Sequence, residues 1–125
     1  MNINDVKYNK SEKMISENKN IRTEIKGLGP EIRVLRKSRI SVTNERIIIS
    51  QKSLFGSYIV QFIIWLDKPD NEKIHLLKGF SEISVSKNNI NEISVKRKII
   101  TEINFDNTLK YIRIFLEKEK LFLKK

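Results

Sequence analysis

The chain has 125 residues, 39% of them apolar, and carries 25 Lys and Arg against 15 Asp and Glu, a formal net charge of +10. That length supports one hydrophobic core and one domain. With no cysteine there are no disulfides, thiolate metal sites or cysteine nucleophiles, and the N-terminus lacks the apolar stretch of an export signal, so the expected location is the cytoplasm.

Charge must be read by position, because the composition is skewed. The 21 Ile, 18 Lys and 12 Asn have A/T-rich codons, and Ala is absent. A low-GC genome would drive composition this way without selection for function. The excess nevertheless sits in three clusters: Arg22 to Arg39, Lys96-Arg97-Lys98, and Lys110 to Lys125.

Residues 1–18 read as a loose or weakly helical lead-in, and 19–125 as a single domain. Ile21, Thr23 and Ile25 alternate with Arg22, Glu24 and Lys26, which predicts a strand stopped by the Gly27-Leu28-Gly29-Pro30 turn. From Glu31 follows one long strand or two short ones. In it Ile32, Val34, Ile40 and Val42 share a parity that Arg36 and Ser38 interrupt, so a bulge, a bend or a short loop is expected there. Thr43-Asn44-Glu45 predicts a turn, where Asn tolerates positive φ, and Arg46 to Gln51 predicts the next strand.

Tyr58 to Leu66 is apolar on both faces and must be covered on both sides. Asp67 to Glu72 is a turn by composition. Ile74 to Lys87 reads as strand, one piece or two divided at Gly79. Asn91 to Lys96 and Ile99 to Phe105 form a hairpin with Lys96-Arg97-Lys98 at its tip. From Leu109 the polar positions Lys110, Arg113, Glu117 and Lys120 recur at three and four, which predicts an amphipathic helix capped by Asp106, Asn107 or Thr108; one more strand through Tyr111 to Leu116 is the alternative.

No catalytic constellation is present. His75 is the single histidine and has no cysteine to share a metal with; Asp67, Asp70 and Glu72 lack the glycine and the bidentate glutamate of a calcium loop; no phosphate-binding or dinucleotide fingerprint occurs. The expectation is a protein that is not an enzyme and needs no cofactor or metal. A pI near 9.9 points to a polyanion. Nucleic acid is the weaker candidate, since Tyr58, Phe62 and Trp65 lie in an apolar strand and not between basic residues. Those three aromatics instead suggest an interaction surface for a protein partner or a second copy of the chain.

The order of elements, with the segment Arg39-Ile40-Ser41-Val42-Thr43-Asn44-Glu45-Arg46-Ile47-Ile48-Ile49-Ser50, resembles the pleckstrin-homology-like (PH-like) domains and their GRAM and bacterial PH modules. In GRAM-like domains one strand ends in Leu-Thr-Asn and the next begins Glu-Arg-Leu or Asp-Arg-Leu. Phe80 to Val85 is similar to that family's fourth-strand segment, and Leu109 to Leu116 to its closing helix. The usual glycine before the motif strand is replaced by Arg36-Lys37-Ser38, and Ser57 to Leu77 is longer and more apolar. The resemblance implies a mainly β fold: an antiparallel sandwich or partly open barrel of about seven strands capped by one C-terminal α-helix. It also implies a noncatalytic binding module for a protein partner or an anionic membrane surface. Lys26 and Lys37-x-Arg39 fall where headgroup-binding PH domains carry their basic residues, with Arg36 beside them and Lys96, Arg97 and Lys98 as further candidate anion contacts.

Overall fold

A computed structural model describes residues 1–68, 73–75, 79–96, 98–105 and 109–115. Nine strands follow in order: β1 (Met14–Gly27), β2 (Ile32–Thr43), β3 (Arg46–Lys52), β4 (Tyr58–Leu66), β5 (Lys73–His75), β6 (Phe80–Val85), β7 (Ile90–Val95), β8 (Lys98–Asn104) and β9 (Leu109–Phe115). They form one sheet in the order β5-β6-β4-β3-β2-β1-β9-β8-β7, antiparallel except where β4 and β6 run parallel. The sheet curls into a half-barrel.

Two bulges direct the curl. Asn20 and Lys37 have positive φ (58° and 55°), and the β1–β2 register shifts beside each of them. An extra residue on one strand flips the inside and outside faces beyond it and increases local twist. The interruption expected in β2 is therefore a bulge at Lys37, and it has a consequence for burial. Leu35, Ile40 and Val42 face the core, while Ile32 is 47% exposed. In β4 the shift between the Ile49–Phe62 and Ser50–Val60 pairs does the same. Phe62, Ile64 and Leu66 face the inner core; Val60 and Ile63 face out.

The outer face of β3, β4 and β6 is covered by the chain's own N-terminus. Ile3 and Val6 are buried there with Ile48, Val60, Ile63 and Phe80, and the Val60 N–H donates to the Met1 carbonyl at 2.7 Å. The first residues thus supply the second cover that an apolar strand requires. They are part of the domain's packing.

The helix expected from Leu109 is not formed where the structure describes it, since Leu109–Phe115 is β9 and the rest of that segment lies outside the described residues. Ile112 and Ile114 are fully buried at a spacing of two. β9 pairs with β1 on one side and β8 on the other. A seven-residue helix gains little in isolation, whereas a central strand satisfies two open sheet edges at once. The strand count is accordingly nine rather than about seven.

The break at Gly79 (φ 74°) separates β5 from β6. Ser86 to Asn89 then joins β6 to β7, although those strands lie toward opposite edges of the sheet. Stagger makes this feasible. The end of β4 beside β6 lies level with the Thr43 end of β2, and the Ile90 start of β7 lies, through Ile103, Ile112 and Ile25, level with Arg33. A curled sheet with that shear brings the end of one strand to the start of the other.

The bulge at Lys37 makes unequal demands on its neighbours. Leu35→Ala is expected to cost about 3 kcal/mol and Ile32→Ala less than about 1 kcal/mol in urea denaturation. Uninterrupted alternation through Ile32 and Val34 would give the opposite ranking.

Candidate anion-binding surface

Lys26 stands near the end of β1, and its ammonium donates to the Gly29 carbonyl inside the following turn. It pairs with Ile32 across the hairpin. Arg39 lies seven residues further along β2, about 20 Å away at the rise of an extended strand. The two cannot converge on one phosphate. Arg39 is also engaged: its guanidinium donates to both Glu17 oxygens at 2.9 and 3.0 Å and lies 5.4 Å from the Tyr58 ring. The positive φ at Lys37 further removes the simple alternation that would have set Lys37 and Arg39 side by side.

Internal pairing also consumes other arginines. Arg22 pairs with Glu24 at 2.8 Å and Arg113 with Glu102 at 2.5 Å; the Glu102 hydrogen bond raises the Arg113 pKa further. Arg33 donates to Gln61 at 3.0 Å. Arg36 and Lys37 in the β2 bulge and Lys52 at the end of β3 are exposed and have no carboxylate partner among the described residues; the same holds for Lys7, Lys10 and Lys13 of the N-terminal segment, Lys19 of β1 and Lys110 of β9. Lys37 and Lys52 come one residue beyond the Ser38–Gln51 pair, so they are neighbours across adjacent strands.

Lys96 and Lys98 do not join them: β1 and β9 stand between β2 and β8, so three strand spacings, about 14 Å along the sheet, separate Lys98 from Lys37. Arg97 lies outside the described residues. The aromatic trio of β4 is divided too. Phe62 is 4% exposed and faces the inner core, so it belongs to no surface. Tyr58 and Trp65 are half-buried against the outer cluster, and the Trp65 indole donates to Glu82 at 2.8 Å.

A side-chain network missed by the sequence patterns anchors the N-terminus. Arg46, buried, donates to both Glu12 oxygens at 2.7 and 3.1 Å and to the Lys7 carbonyl at 2.7 Å, with Trp65 and Tyr8 at 4.5 and 5.2 Å from its guanidinium. The Thr43 hydroxyl accepts from the Glu45 and Arg46 N–H groups and donates to Glu12. Asn44 accepts from the Lys13 N–H at 2.6 Å and donates to the Ser11 carbonyl at 3.0 Å. The Thr-Asn-Glu-Arg turn is thus closed by a hydroxyl, without positive φ at Asn44. Thirty-odd residues separate Glu12 from Arg46, so no local pattern announces the pair.

Burial alone would push the Glu12 carboxyl up, but hydrogen bonds from Arg46, Thr43 and the Asn9 N–H outweigh it and hold the pKa below its ordinary 4.5. Burial raises the Tyr8 pKa, opposed by the nearby Arg46 charge. Asp67 accepts from the Lys87 N–H at 3.0 Å, while Asp70 and Glu72 lie outside the described residues. His75 falls in β5. Among the described residues no group of three or more His, Cys, Asp or Glu side chains is arranged to hold a metal ion, and no helix is long and apolar enough to cross a membrane.

Comparison with known protein families, curated proteins and solved structures finds no match.

A carboxylate with a depressed folded pKa stabilises the fold above its unfolded pKa, and that stability is lost as pH falls through the folded value. The Glu12 contribution should therefore be complete above pH 4.5 and decline below it. Urea midpoints measured across pH should fall more steeply in this acidic window for the native chain than for Glu12→Gln. At neutral pH, Glu12→Ala is expected to cost about 3 kcal/mol because it leaves Arg46 buried and unpaired.

Proposed function

We propose that this chain is a noncatalytic binding module that docks on an anionic membrane surface, with Arg36, Lys37 and Lys52 as its contacts. The observation that carries this is the clustering of unneutralised cations beside one hairpin, while other exposed lysines without a carboxylate partner, such as Lys10, Lys13 and Lys110, lie on the N-terminal segment and on β9. Arg22, Arg39, Arg46 and Arg113 are paired with carboxylates, whereas Arg36, Lys37 and Lys52 stand exposed on two adjacent strands with no carboxylate partner among the described residues. Each such cation near an anionic leaflet contributes about 1 kcal/mol, so three give weak, reversible, salt-sensitive attachment. Lys26 lies beyond them toward the β1–β2 turn and would add to the same field.

The curled, mainly β sheet and the tight Thr43 to Arg46 hairpin are features that the PH-like fold would share with many other β folds. The strand at Leu109–Phe115, where that fold has its closing helix, departs from it. The docking function therefore rests on the charge arrangement and not on the likeness. Nucleic acid is the rival polyanion. Aromatic rings do lie beside cations, but Arg113 and Arg22 beside Tyr111 and Phe115 are already neutralised, and the Tyr58 and Trp65 rings beside Lys19 and Lys68 are half-buried against the outer cluster, which weakens a stacking platform built on them.

Sedimentation with vesicles containing phosphatidylserine should capture the chain at low salt and release it at high salt, with no capture by zwitterionic vesicles. The triple variant Arg36→Ala, Lys37→Ala, Lys52→Ala should bind roughly 100-fold more weakly, while Lys96→Ala with Lys98→Ala should leave affinity nearly unchanged. Salt-sensitive binding to DNA or RNA without vesicle binding would assign the surface to nucleic acid instead.

A further inference from the structure

The β3–β4 hairpin ends in an unusual tip. Leu54 and Phe55 are adjacent and almost wholly in solvent, at 101% and 96% exposure. They are not on a loose loop. The Ser53 N–H donates to the Ser57 carbonyl at 2.7 Å and the Gly56 N–H to the Ser53 carbonyl at 3.1 Å, with Gly56 at φ 86° closing the turn. The two apolar side chains are therefore held outward by a hydrogen-bonded turn. Single exposed apolar residues are ordinary, but a fixed, adjacent Leu-Phe pair on a projecting tip is a contact without its partner.

The surroundings say what that partner is. Lys52 immediately precedes the tip, and Lys37 and Arg36 are its neighbours on β2. The β1–β2 turn points the same way, since β1 to β4 run alternately up and down, and by register reaches several residues further along the strands. It presents a second apolar tip, with Leu28 at 69% exposure. Apolar groups on two convex hairpin ends, backed by cations free of carboxylates among the described residues, suit an anionic bilayer: the tips reach the acyl boundary while the cations stay with the phosphates.

We propose that Leu54 and Phe55 are a membrane-inserting wedge that converts electrostatic attachment at Arg36, Lys37 and Lys52 into anchoring in an anionic bilayer. The wedge rests on the membrane-docking function proposed above and adds to it a salt-resistant component. Because the pair contacts solvent, Leu54→Ser with Phe55→Ser should leave the denaturation midpoint unchanged.

The full-length chain and this double variant are compared on vesicles of phosphatidylserine and phosphatidylcholine across salt concentrations, alongside Phe55→Trp on vesicles with brominated acyl chains. The double variant should bind roughly 30-fold more weakly and lose the binding that survives high salt. Emission from the indole introduced by Phe55→Trp should shift to the blue and be quenched by the bromines beyond the response of Trp65 in the native chain. If the native chain binds anionic vesicles but the double variant binds equally well, with no added quenching at position 55, the wedge is overturned and the charge-based docking stands. Failure of the native chain to bind anionic vesicles at low salt would overturn both. A native dimer that the double variant converts to monomer would assign the tip to a second copy of the chain, and would likewise overturn the wedge.

Discussion

Arg46 and Glu12 tie the N-terminal segment to the sheet, and the outer half of the structure depends on that tie. β3 and β4 carry apolar residues on both faces, so the sheet cannot be a simple amphipathic layer with one wet side. One face is satisfied by curling the strands toward one another. The other needs a separate cover, and the first six residues supply it through Ile3 and Val6. So short a segment buries little area of its own. It is fixed by polar anchors instead: the Arg46 guanidinium clamped by Glu12, the Lys7 carbonyl and two aromatic rings, and the Asn44 side chain bonded to the backbone at Ser11 and Lys13. A buried ion pair adds little net stability over an apolar replacement, but losing one partner is costly. Its contribution here is to specify where the cover lies.

Curling the sheet requires departures from regular pairing, and these include Asn20, Lys37 and the register shift near Gln61. Each trades a ladder position for a change of face. The Lys37 bulge is also what leaves Arg36 and Lys37 exposed beside a buried Leu35 and Ser38. The same distortion that closes the core over Leu35 therefore presents these cations, so shape and charge at this end of the sheet have one origin.

Much of the central architecture was legible in the chain. The Thr43 to Arg46 turn, the interruption near Arg36, the break at Gly79 and the need to cover both faces of Tyr58 to Leu66 all follow from local patterns. What escaped is nonlocal or ambiguous. Ile3 and Val6 sit among polar residues and show no period, so nothing marks them as core. From Leu109, positions 109, 112, 115 and 116 fit a helix, yet 112 and 114 fit a strand equally well, and the choice was made by the open edges of β1 and β8. Charge clusters were visible, but their neutralisation was not: Glu17 reaches Arg39 and Glu12 reaches Arg46 across long stretches of chain. Counting cations along the sequence therefore does not distinguish Arg39, paired with Glu17, from Lys52, which has no carboxylate partner among the described residues.

The distribution of structural duties gives the remaining step. Toward the Asn44 end of the sheet, Glu12, Arg46, Thr43, Asn44, Glu45, Ser11 and Asn9 form a connected network beside the exposed Met14, Ile15, Lys10 and Lys13. At the hairpin end, Arg36, Lys37, Lys52, Leu54 and Phe55 have no comparable engagement among the described residues. Exposed cations act over about a Debye length, roughly 8 Å at physiological salt, and can gather the chain at a charged surface. They cannot hold it there once salt rises. Apolar tips act only on contact and are indifferent to salt. On the proposed membrane docking, with both on the same hairpin end, long-range capture would lead directly into short-range anchoring, and neither step would require the packed core or the N-terminal clamp to move.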